Sequence, residues 1–164
     1  MKKDIKCIEN LNFFIKVVLI LTILFIMIPI TLALDKSRVE VGADILNNFG
    51  ITGKDKNVCL IDDGIDYTNE YLGTCTDNQF INGNCRTIIG GVNIVDNTQN
   101  ITPNSSQFHG THIAGIILSN HSTVRGIAPN SKIVGVKIKS NIGNPTTCQS
   151  FIDAIKWCSN HSLQ

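Results

Sequence analysis

Two histidines three positions apart, His109 and His112, stand in the run HGTHIAG, residues 109–115. Such a pair on a helix could ligate zinc, could be ordinary helix packing, or could carry one catalytic base. Zinc proteases of the His-Glu-x-x-His type space their two His four positions apart and place a Glu directly after the first. Here Gly110 stands there, and no closely spaced Cys or carboxylate offers a third ligand. No metal site is expected. Gly110 is informative, because Gly in a helix interior costs about 1 kcal/mol relative to Ala. Its presence suits a helix start that another segment approaches closely, where a base would project from the first turn into a cleft.

A second chemistry-bearing position is Asp62, which directly follows the apolar run Val58–Ile61 (VCLI) and opens Asp62-Asp63-Gly64. Alone it reads as a turn former or helix N-cap. An acidic pair after a strand also fits a phospho-acceptor, although an exported chain would meet no intracellular phosphoryl donor. Taken with His109, Asp62 supplies two parts of a nucleophilic triad: a base, and a carboxylate that fixes its tautomer and stabilises the imidazolium. Asp preceding His by about 50 residues is one of the known triad orders.

The elements around these residues have to bring them together. Residues 42–50 (GADILNNFG) have a short helical pattern closed by Gly50, and VCLI reads as a strand buried on both faces of a parallel sheet. Residues 73–85 (GTCTDNQFINGNC) are polar and Gly/Asn-rich and read as a surface loop. Residues 87–95 form a broken strand, 96–108 a loop, 112–118 a helix and 131–139 a second core strand. Phe151, Ile152, Ile155 and Cys158 then mark a helical stripe. Strands alternating with helices predict an α/β layer fold with a mainly parallel sheet. The carboxyl ends of its strands gather functional groups, and Asp62 falls at one.

Three stretches carry a resemblance to a known family. Val58–Asp66 (VCLIDDGID) resembles the aspartate motif of the subtilisin-like serine proteases. Gly90–Gly115 (GGVNIVDNTQNITPNSSQFHGTHIAG) resembles their glycine-led strand, loop and histidine motif. Gly126–Lys137 and Ser150–Trp157 resemble the next strand and helix, so the likeness runs from about Val39 to Asn160. It implies a three-layer α/β fold of which about the first half is present, and serine endopeptidase activity on polypeptide substrates. It also implies Asp62 as triad carboxylate, His109 as general base and His112 as a packing residue. The family's Gly-Thr-Ser nucleophile motif and its oxyanion Asn are not found here, so the chain by itself is expected to be inactive. Cofactors are not called for. Tyr71 stands where many members keep a calcium-binding Asp. A non-catalytic, exported binding fragment is the alternative, and a complementing C-terminal half is a conceivable partner.

Composition sets the compartment. Residues 1–16 carry Lys2, Lys3, Lys6 and Lys16, and Val17–Ile28 is uncharged. Thr31-Leu32-Ala33 has the small residues of a signal-peptidase site. Residues 1–33 are expected to be a cleaved signal peptide or, since 18 positions from Val17 to Leu34 carry no charge, an N-terminal membrane anchor. The remaining domain, 34–164, is then secreted or membrane-anchored. That leader takes four Lys and two acidic residues from totals of 14 and 13, leaving ten basic against eleven acidic, a net charge of −1. No basic block survives, so no nucleic-acid partner is expected.

Export permits disulfides. With Cys7 in the leader, five cysteines remain, so at least one lacks a partner within the chain. Cys75 and Cys85 flank a loop flexible enough to bridge. Cys148 and Cys158, ten residues apart on one helix, would stand some 15 Å from each other and are not expected to pair. Cys59, within a buried strand, is expected to be an inert thiol.

Overall fold

Strand β1 (Asn57–Asp62), strand β2 (Ile88–Asn93) and strand β3 (Lys132–Lys137) form one parallel sheet in the order β1-β3-β2. This is a computed structural model that describes residues 32–104 and 107–161. The chain divides into two units, 1–33 and 34–164, and, apart from Leu32 and Ala33 at the start of the first described helix, everything below concerns the second. Most of the leader expected over residues 1–33 lies outside the described residues, which begin at Leu32. Among the described residues no helix is long and apolar enough to cross a membrane.

Two helices, α1 (Leu32–Glu40) and α2 (Ala43–Asn48), precede β1. Between β1 and β2 come a 3-10 turn (Glu70–Leu72) and the short helix α3 (Asp77–Ile81). Helix α4 (His109–Leu118) connects β2 to β3, and α5 (Cys148–His161) follows β3.

Alternation along the strands sorts side chains onto two faces. Val58, Leu60 and Ile133 join Ile65, Ile101, Ala114 and Leu118 in one apolar cluster, on the α4 side. Cys59, Ile61 and Val136 join Ala154, Trp157 and Cys158 in another, on the α5 side. Helices therefore cover both faces, giving three layers. Central β3 is buried from Ile133 to Lys137, whereas β1 at the sheet edge is only half-buried throughout.

Helix α4 seats against the sheet through Gly110, Ala114 and Leu118, buried at intervals of four. His112 lies off that stripe and is exposed, contrary to its expected packing role. Helix α5 is rotated from expectation. Its buried line runs through Ser150 and Ala154, with Trp157 and Cys158 packed beside it, whereas Phe151, Ile152 and Ile155 are exposed.

That rotation accompanies a further correction. Cys59 is not a free thiol but is bonded to Cys158, with Cα atoms 5.8 Å apart. Cys59 points to the same face as Ile61, the face that α5 crosses. A buried strand position is no reason for isolation when a helix carries a second cysteine across it. Cys75 is bonded to Cys85, and exposed Cys148 is the free thiol among the described residues.

The segment 73–85 is likewise more ordered than its composition suggests. Thr76 and Gln79 form a reciprocal capping box that starts α3. Phe80 then stacks on Tyr67 with ring centroids 4.2 Å apart, and Cys75, Phe80 and Cys85 are all in the core.

Candidate active site

The last residue of β1 and the first of α4 meet at the carboxyl end of the sheet. Asp62 pairs in register with Lys137 of β3, so the ladder fixes its backbone. Beyond it the chain turns at Gly64, whose φ of +133° favours glycine, and Ile65 donates its N–H to Ile101 O at 2.8 Å. A β-carbon at Gly64 would fall 2.9 Å from Pro103 N, so the 101–103 segment lies directly against the turn.

His109 opens α4 with Nδ1 2.9 Å from Asp62 Oδ2 and 3.0 Å from Oδ1. An ionised carboxylate only accepts, so in the neutral ring Nδ1 carries the proton and Nε2 keeps its lone pair. The environments differ sharply: the His109 side chain is 70% exposed and that of Asp62 only 15%. The hydrogen bond and charge of Asp62 hold the His109 pKa above its ordinary value, against some opposition from desolvation and with the smallest contribution, also upward, from Asp63. Asp62 also accepts the Asp63 N–H at 2.7 Å through Oδ1.

Gly110 allows this approach. A β-carbon there would strike the Gly64 carbonyl oxygen and stand 2.9 Å from the β-carbon of Asp62. Asp63 accepts the Gly110 N–H at 2.9 Å and the His109 N–H at 3.3 Å, and Asp66 donates its N–H to Thr111 Oγ1 at 2.9 Å. Sequence reasoning weighed Asp63 only as half of an acidic pair and missed these bonds.

It also passed over Lys137, which is fully buried beneath the strand ends. Its Nζ donates to Thr102 O at 2.5 Å and to Asn141 Oδ1 at 2.6 Å. Burial lowers its pKa, opposed by Asp96 and Asp63. A lysine set between the apolar residues Val136 and Ile138 of the expected strand 131–139 (SKIVGVKIK) was the available signal.

The Asp62–His109 pair, set at a strand end and a helix start, has the arrangement in which a carboxylate orients a general base. Over residues 53–164 the chain matches the model of the Subtilase family. The chain belongs to the subtilase family.

Individual subtilases are similar to it at modest identity. Subtilisin of Bacillus pumilus is 29% identical over 126 residues, covering 76% of this chain and 40% of that protein. The alkaline protease of Alkalihalobacillus alcalophilus is 30% identical over 129 residues, covering 77% and 29%. A solved complex of Aeromonas sobria serine protease with its chaperone aligns with a TM-score of 0.49 at 23% identity, over 65% of this chain and 16% of that one. This subtilase chain thus spans less than half the length of the curated relatives it matches.

The family's calcium position can be tested on the side chain present. Tyr71 offers no carboxylate, and its ring lies against His121 with centroids 4.6 Å apart. That position does not fit a cation ligand. Among the described residues no group of three or more His, Cys, Asp or Glu side chains is arranged to hold a metal.

Proposed function

We propose that this chain supplies the acid–base half of a serine endopeptidase, with Asp62 and His109 as its carboxylate and general base. The observation that carries the reading is the Nδ1–carboxylate contact at 2.9 Å between residues 47 positions apart. With Nδ1 committed to Asp62, Nε2 takes the proton of a serine hydroxyl as that oxygen attacks the peptide carbonyl. His109 later returns the proton to the leaving amine, and Asp62 stabilises the imidazolium in between. No cofactor is called for by this chemistry.

The serine and the oxyanion donor would come from polypeptide outside these 164 residues, which contain no Gly-Thr-Ser sequence. Polypeptides are the substrates and a complementing segment the partner. The two disulfides support a secreted or surface-anchored protein, since such bonds persist outside the cytosol.

A second reading, an exported binding fragment without catalysis, is favoured by the exposed apolar side chains Phe151, Ile152 and Ile155 and by the half-buried edge strand β1. A fluorophosphonate probe, which reacts only with an activated serine, separates the two. The 164-residue chain should remain unlabelled, and the product extended by its downstream coding sequence should label. An extended product that folds and stays unlabelled would favour the binding fragment.

A further inference from the structure

Asp62 and Asp63 are consecutive, yet their carboxylates serve different parts of one residue. Asp62 holds the His109 ring. Asp63 holds the His109 backbone N–H through Oδ2 and the Gly110 N–H through Oδ1. The first N–H groups of any helix lack intrahelical acceptors, and a side chain at the N-cap ordinarily satisfies one of them. In α4 the N-cap is Phe108, which makes no such bond. The cap comes instead from Asp63, the residue directly after β1.

We propose that Asp63 is a positioning residue for the base, fixing the first turn of α4 to the Asp62 loop so that His109 Nδ1 is aimed at Asp62. This rests on the peptidase reading for its purpose, but not for its geometry. A cap from the neighbouring residue would stabilise the helix start and leave the whole helix free to shift against β1. A cap from Asp63 ties that start to the residue that follows the ring's own partner. Helix and carboxylate then move as one body. Two bonds through both oxygens also fix rotation of the turn, and negative charge at a helix N-terminus is favourable. The Asp66 N–H on Thr111 Oγ1 adds a third tie along the same turn.

The test needs no catalysis and uses the chain itself. Amide hydrogen exchange and the NMR titration of the His109 ring are compared in wild type, Asp63→Ala and Asp63→Asn. Asp62 and Asp63 are the acidic groups that act on this ring. In Asp63→Ala the His109 and Gly110 amides should exchange at least tenfold faster, while Ile133–Val136 in β3 keep their protection. The ring should titrate at a lower pH, with its Nδ1-protonated tautomer less populated. Asp63→Asn, which keeps one acceptor oxygen, should leave one of the two amides protected and covers the case in which the Ala variant fails to fold.

Unchanged exchange at His109 and Gly110 would overturn the proposal, as would protection lost evenly through β3 in both variants. If these results hold but the extended protein has no hydrolytic activity, the peptidase reading fails while the positioning role stands.

Discussion

A β-carbon on Gly110 would occupy the space of the Gly64 carbonyl oxygen and press to 2.9 Å on the β-carbon of Asp62. Helix α4 and the turn after β1 are therefore in contact where only a glycine fits. At an exposed helix position Gly→Ala stabilises by about 1 kcal/mol. Here the sign should reverse. Gly110→Ala should destabilise by about 1–3 kcal/mol, the usual cost of overpacking, read from urea unfolding. A stabilised variant would show that the contact is not tight.

His109 should titrate above the ordinary imidazole value of 6.5, because its bond to Asp62 and that residue's charge favour the imidazolium. A folded-state pKa raised above the unfolded value contributes stability that is fully present below the unfolded pKa. That stability is lost as pH rises through the folded one. The NMR midpoint in Asp62→Asn should fall back toward the ordinary value. A wild-type midpoint at or below 6.5 would contradict the ion pair.

The two disulfides should differ in weight. Cys59–Cys158 spans 99 positions and Cys75–Cys85 spans ten. Chain-entropy arguments assign about 4–5 kcal/mol to the longer loop and about 2–3 kcal/mol to the shorter. Paired Cys→Ser variants under oxidising conditions should lose stability in that order, and unreduced peptide mapping should recover both crosslinks with Cys148 alkylated. Recovery of Cys148 in a crosslink to Cys158 would contradict the arrangement of α5.

How far the sequence announced this molecule depended on the range of the interaction. The parallel α/β layering was legible because VCLI and IVGV, residues 58–61 and 133–136, are apolar runs between helical patterns. The Asp62–His109 meeting was legible because each stands in an ordered motif at a strand end or helix start. Gly110, out of place in a helix interior, pointed correctly to a close approach. The partner of Cys59 was not legible, because it depends on which strand face α5 crosses. The facing of α5 was misjudged for the same reason: Phe151, Ile152 and Ile155 are apolar, but the bond from Cys158 to Cys59 accompanies a rotation that leaves them exposed. Helix α3 had a readable signal in Thr76 and Gln79, outweighed by the Gly/Asn content around it. Asp63 was hidden because a helix cap supplied from 46 residues away follows no local pattern.

The most direct test of the account is a double-mutant cycle on Asp62 and His109, measured as kcat/KM for peptide hydrolysis in the protein extended to include its nucleophile segment. Residues of a triad act as a unit, so their losses do not add. His109→Ala alone should lower kcat/KM by roughly 10⁴- to 10⁶-fold, and Asp62→Ala by somewhat less. The double variant should be no worse than His109→Ala within about tenfold, because Asp62 acts only through the ring it holds. Losses that multiply, or a His109→Ala enzyme that keeps most of its activity, would contradict the claim that these two residues form one catalytic couple.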